Sequence, residues 1–226
     1  AIAELSASDN SILVTKGEPD ADPAVTIDNA PSGSLTIASF NGPDSRTIES
    51  TGGSAIKINL DSSTDLTIQG FSISDGSSAK VIDVQSQLNS LTLDQNDVTA
   101  TSDNQLLDAQ SAIGSVTLGS NTFDGSDFVD TDPAVDFFTN VDDVDINNNI
   151  FRNLGDTADL QFQGASDVTI QSNDYTDIGD EAVFAATDDS SATGTYDISQ
   201  NLITDVANSG DEGSVFGFYA TVNAFS

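Results

Sequence analysis

Val144-Asp145-Ile146-Asn147-Asn148-Asn149-Ile150-Phe151 decides the fold. Apolar residues alternate with polar ones, an Asn follows three positions later, and an aromatic closes the run. One turn earlier the same order reads Val116-Thr117-Leu118, then Asn121, then Phe123. One turn later it reads Val168-Thr169-Ile170, Asn173, Tyr175. Apolar–polar–apolar spacing is the mark of a strand with one buried face. A strand of three or four residues cannot bury enough by itself, so recurrence at a near-constant interval means stacked turns that share one core.

The repeat extends outward in both directions. Its opening triplet recurs as Leu35-Thr36-Ile37, Leu66-Thr67-Ile68, Leu91-Thr92-Leu93 and, after residue 170, Tyr196-Asp197-Ile198. Successive triplets start 31, 25, 25, 28, 24 and 28 residues apart. Five residues after each triplet begins stand Asn96, Asn121, Asn149, Asn173 and Asn201, with Phe40 and Phe71 in that place in the first two copies. Asn tolerates the left-handed backbone of tight corners, and stacked Asn side chains can hydrogen-bond from turn to turn. A second apolar pair precedes each triplet, from Val25/Ile27 and Ile56/Ile58 to Val183/Ala185. No helical period runs through the chain.

The expected fold is therefore all-β, a parallel β-solenoid of about seven to eight rungs over residues 24–213. Residues 1–23 form an N-terminal cap or extension. Residues 214–226, with Val215, Phe216, Phe218, Tyr219, Val222 and Phe225, form an apolar last rung, cap or inter-subunit strand. Rungs about 4.8 Å apart would give a rod roughly 35–40 Å long.

Composition bounds the function. The chain holds 37 acidic residues against 5 basic ones, a net charge of −32. Such a surface repels nucleic acid and anionic membranes and attracts hard cations. Cys and His are absent, which removes disulfides, thiolate chemistry and every mechanism that needs imidazole. No stretch approaches the ~20 apolar residues of a membrane span. The bias toward Asp, Asn, Ser, Thr and Gly points to a secreted or cell-surface protein.

The pattern V-x-I-x-x-N-x-F at this period resembles right-handed parallel β-helices of the pectate-lyase-like superfamily, over about residues 24–205. Right-handedness is what the resemblance implies. Enzymes of that superfamily place their sites on an outer strand face or in a groove beside it. Here outward columns hold Asp143, Asp145 and Asp167, and the first and last of these fall on adjacent rungs. They are candidate Ca²⁺ ligands, as are Asp124, Asp127 and Asp130 in an Asp-rich loop. A carboxylate pair also raises glycoside hydrolysis. The family's Arg or Lys bases and its His-containing motifs have no counterpart here: Arg152 alone stands near the acidic region, and no Lys follows Lys80.

These observations favour a non-enzymatic extracellular structural or adhesive β-helix, a filament or surface-layer subunit supported by cations such as Ca²⁺. Its expected partners are further copies of itself, stacked head to tail through the C-terminal strand, or surface glycans. The alternative is a carbohydrate-active β-helix, a polysaccharide hydrolase, lyase or glycan-binding module working through outward Asp residues.

Overall fold

A computed structural model describes residues 11–14, 25–28, 33–39, 42–43, 46–50, 52–75, 80–100, 105–125, 134–137, 141–154, 160–163, 165, 167–178, 183–186, 195–206 and 216–219. The described regular structure is strand, apart from one short 3₁₀ position, and the strands build three parallel sheets.

The first sheet carries the triplets: β1 (Ser11–Val14), β3 (Gly33–Ser39), β6 (Thr64–Gln69), β9 (Leu88–Asp94), β12 (Ile113–Gly119), β15 (Val141–Asn147), β18 (Asp167–Gln171) and β21 (Tyr196–Ser199). The second begins just after the Asn corner: β4 (Thr47–Ser50), β7 (Ser72–Asp75), β10 (Asp97–Ala100), β13 (Thr122–Asp124), β16 (Ile150–Leu154), β19 (Asp174–Ile178) and β22 (Leu202–Val206). The third carries the apolar pairs: β2 (Val25–Asp28), β5 (Ile56–Asn59), β8 (Ile82–Val84), β11 (Leu107–Ala109), β14 (Val135–Phe137), β17 (Leu160–Gln163), β20 (Val183–Ala186) and β23 (Phe216–Tyr219).

The chain is thus a parallel β-solenoid. Side chains of all three strands are described through about five turns, β2 to β16, fewer than the seven to eight rungs expected. Beyond them β17–β23 carry the three sheets onward by parallel backbone pairing. The triplets pair in the register their spacing predicts: Leu66 with Leu91, Leu91 with Val116, Val116 with Val144, and Val144 with Val168.

Alternation sets the core. Leu66, Ile68, Leu91, Leu93, Val116, Leu118, Val144 and Ile146 point inward from the first sheet and are buried. Ile73, Val98, Phe123, Phe151 and Tyr175 do so from the second, and Ile56, Ile58, Ile82, Val84, Leu107 and Val135 from the third. In the second sheet the rings stack along the axis. The Phe123 and Phe151 centroids lie 5.1 Å apart, and those of Phe151 and Tyr175 lie 4.8 Å apart, nearly coplanar in orientation. These distances equal the rung spacing, so one aromatic per turn fills one column.

The corner between the first two sheets is built from two adjacent columns. Gln95, Ser120, Asn148, Ser172 and Gln200 all have φ between 54° and 59°, and Gly70 fills the same place with φ 76°. This left-handed step turns the chain sharply. Immediately after it stand Asn96, Asn121, Asn149 and Asn173, all buried, and then Asn201, which is half-buried. Each backbone N–H donates to the Asn Oδ1 one turn further on: Asn96 to Asn121 at 2.9 Å, Asn121 to Asn149 at 2.9 Å, Asn149 to Asn173 at 2.8 Å, and Asn173 to Asn201 at 3.0 Å. Each Nδ2 reaches a carbonyl of the triplet strand one turn back, such as Leu93 O at 2.8 Å from Asn121. A corner that would otherwise bury orphan amides is thereby satisfied within the ladder.

The first turn departs from the expected register. Phe40 lies outside the described residues, and the place in line with Phe71 belongs to Arg46. Strand β4 pairs with β7 through Thr47–Ser72 and Ile48–Ile73. Ser72 N–H donates to Arg46 O just as Asp97 N–H donates to Phe71 O. Arg46 stands eleven residues after the first triplet begins, against five for Phe71. Phe71 itself caps the ladder: it is fully buried, and its N–H donates to Asn96 Oδ1 at 3.0 Å.

At the ends, β1 pairs in parallel with β3, so residues 11–14 extend the first sheet. Strand β23 pairs with β20, placing Phe216 beside Val183 and Phe218 beside Ala185. Phe216, Phe218 and Tyr219 thus belong to a strand of the solenoid's own third sheet, while Val215, Val222 and Phe225 lie outside the described residues.

Candidate functional site

The outward face of the first sheet is flat and polar because its strands stack without offset. One column runs Thr36, Thr67, Thr92, Thr117, Asp145, Thr169 and Asp197. Its neighbour runs Asp65, Ser90, Ser115, Asp143 and Asp167. Asp143 and Asp167 are register partners and both are exposed, as the spacing of the repeats implies. Asp145 sits opposite Thr117 and Thr169 and accepts a hydrogen bond from Asn147 Nδ2. Asp167 Oδ1 accepts the Thr195 N–H at 3.0 Å.

Asp143, Asp145 and Asp167 do not form a three-ligand group in the described structure. Among the described residues no group of three or more acidic side chains is placed to hold a metal ion. Asp124 belongs to the second sheet, apart from Asp143, Asp145 and Asp167. Its oxygens accept Arg152 Nε at 2.9 Å and Asn153 Nδ2 at 2.8 Å, donors that a cation would have to displace. Asp127 and Asp130 lie outside the described residues.

Elsewhere on the first-sheet face, acids are tied to neighbouring amides and hydroxyls. Gln69 Nε2 donates to Asp94 Oδ2 at 2.9 Å, and Gln171 Nε2 to Asp197 Oδ2 at 2.7 Å. Asp65 Oδ1 accepts Asn89 Nδ2 at 2.6 Å and Ser90 Oγ at 2.8 Å. The bond from Asn89, and then that from Ser90, hold the Asp65 carboxyl below the ordinary carboxylate range.

The third sheet holds a site that sequence reasoning missed. In β8, β11 and β14 all three residues are buried, including the middle one. Those middle residues are Asp83, Asp108 and Asp136, stacked in register on three successive turns. Alternation alone marks them as outward and hence solvated. They are covered instead, and Asp108 is only 2 % exposed. Lys80, just ahead of β8, forms an ion pair with Asp108 across the turn. Gln110 Nε2 donates to Asp108 Oδ2 at 3.0 Å, and Gln85 Nε2 to Asp83 Oδ2 at 2.7 Å. The legible signal was the recurrence of Asp between two inward residues, Ile82-Asp83-Val84, Leu107-Asp108-Ala109 and Val135-Asp136-Phe137, each preceded by a further apolar residue: Val81, Leu106 and Ala134.

Compared with protein-family models, with curated proteins and with solved structures, the chain matches none, so the pectate-lyase-like resemblance rests on the repeat pattern and the solenoid architecture alone.

Proposed function

We propose that this protein is a non-enzymatic structural or adhesive β-solenoid of the cell exterior, a rigid acidic rod that associates end to end. The carrying observation is the one-dimensional regularity of the ladders. Each Asn N–H is satisfied by the Asn of the following turn, and the column runs in this way from Phe71 to Asn201. Asn201, the last described member, keeps the same rule by accepting the Asn173 N–H and Nδ2 at its Oδ1. The pairing rule that adds one turn to the next is the rule that would add one copy to another.

The charge supports a condition on that association. A net charge of −32 makes copies repel, and screening by salt or Ca²⁺ brings ends into reach. The basic residues are distributed unevenly: four of the five lie within residues 1–80, while residues 153–226 hold thirteen acids and no base. Head-to-tail contact sets the less acidic end against the more acidic one.

Sedimentation velocity and negative-stain microscopy of the full chain, with Ca²⁺, with NaCl of equal ionic strength, and at low salt, test this reading. Rods longer than one copy that grow in number with screening are expected. Dispersed monomers under every condition, together with cleavage of a soluble polysaccharide, would overturn it in favour of a carbohydrate-active solenoid.

A further inference from the structure

The buried column of the third sheet holds an arrangement that ordinary solvation does not explain. Three carboxylates, Asp83, Asp108 and Asp136, stand one rung apart, about 5 Å, and all are nearly inaccessible. One ammonium, Lys80, is set against the central one, with side-chain exposures of 29 % for Lys80 and 3 % for Asp108. Val81, Leu106 and Ala134, each less than 2 % exposed, flank the column. Burying the Asp108 carboxylate costs free energy that half-buried Lys80 offsets only in part, and a neutral product in the same place carries no such cost.

We propose that Lys80 and Asp108 condense into an intramolecular amide, a covalent staple between adjacent turns of a chain that has no cysteine. The pair first passes one proton from Nζ to the carboxylate, leaving a neutral amine beside a neutral acid. The Nζ lone pair then attacks Cγ of Asp108, forming the N–C bond. One C–O bond breaks, and its oxygen departs as water with one proton from nitrogen and the acid's own proton. No oxidant, reductant or activating co-reactant is consumed. Asp83 and Asp136, in register on either side, are placed to take the proton from nitrogen and return it to the leaving hydroxyl. Gln110, donating to Asp108 Oδ2, holds the carboxyl group in position. Confinement of amine and acid in one covered site replaces the high concentration such a condensation needs in water.

Intact-mass measurement of the purified full chain tests the assignment. The protein should be lighter than its sequence by one water, and fragment spectra should join Lys80 to Asp108. Lys80→Arg keeps the positive charge and cannot form this amide, so it should weigh what its sequence predicts; Asp108→Ala should do the same. Relay variants Asp83→Asn and Asp136→Asn keep both reacting groups, and at least one should slow closure about 100-fold or more. A wild-type mass equal to the sequence mass overturns the proposal. So does a one-water deficit that persists in Lys80→Arg, which would place the loss at an Asp-Gly step such as Asp75-Gly76 or Asp124-Gly125. Closure at the wild-type rate in both relay variants removes the acid–base step and overturns it as written.

Discussion

Replacing Asn121 with Ala tests the corner ladder where it is most enclosed. Asn121 is 1 % exposed and takes part in six hydrogen bonds, four of them through its side chain. Its Oδ1 accepts Asn96 N at 2.9 Å and Asn96 Nδ2 at 3.1 Å, and its Nδ2 donates to Leu93 O at 2.8 Å and Asn149 Oδ1 at 3.0 Å. Its own N–H, donated to Asn149 Oδ1, survives the substitution. Four bonds are lost. Asn96 Nδ2 still reaches Ile68 O, so the principal orphan is the buried Asn96 N–H. One stranded buried donor costs about 1–3 kcal/mol, and the lost side-chain bonds add roughly 1 kcal/mol each where no replacement partner exists. The expected total is about 3–5 kcal/mol, near the top of the range for single substitutions. Asn201→Ala is the internal control. Asn201 is half-buried, so its loss should cost less, about 1–2 kcal/mol, chiefly from the stranded Asn173 N–H. Urea unfolding followed by circular dichroism reads both values, and amide hydrogen exchange should show Asn96 N–H losing protection in the central variant. Equal costs at the two positions, or a central cost under about 1 kcal/mol, would refute the claim that the ladder satisfies the corner.

Other perturbations isolate single features. Ser120 holds φ at 56°, so Ser120→Gly should be neutral or stabilising while Ser120→Val should cost about 1–2 kcal/mol more; thermal midpoints that rank Val equal to Gly would count against a strained corner. Phe151, stacked between Phe123 and Tyr175 and fully buried, should cost about 3–5 kcal/mol when cut to Ala; a urea midpoint shift equivalent to less than half of that would mean the column collapses to fill the space. Asp65 carries a carboxyl held below its ordinary range, so the folded state binds its proton less readily than the unfolded chain does. The stability it contributes is present above the unfolded value of about 3.9 and is lost as pH falls through the lower folded value. Asp65→Asn should therefore lower the urea midpoint at neutral pH, with the gap to wild type closing below about pH 4; a gap independent of pH would refute the assignment.

Much of this protein was legible before any coordinate. The triplets, the Asn column and the apolar residue two places beyond it are local patterns, and period-2 alternation fixes which of them face inward. Register followed as well, because slipping one residue would turn every apolar side chain outward. Leu66, Leu91, Val116, Val144 and Val168 pair as their spacing predicts. The acidity and the lack of His and Cys were likewise complete in the chain, and they bounded its chemistry.

Tertiary structure decided what lies next to what across turns. Arg46 lines up with Phe71 in the first turn, a match set by the pairing of β4 with β7. The bulge positions Asn153 and Asp177, with φ 55° and 57°, let Leu154 and Ile178 return to the core, a detail that no alternation pattern carries. Most of all, an Asp between two inward residues reads as exposed on any strand. Whether water reaches it depends on its surroundings: Lys80 and Gln110 reach Asp108, and Gln85 reaches Asp83. Asp143 and Asp167 remain in solvent while Asp83, Asp108 and Asp136 are enclosed with Lys80. The residue type is the same in both places; the assembled solenoid makes one a wetted face and the other a buried row of carboxylates.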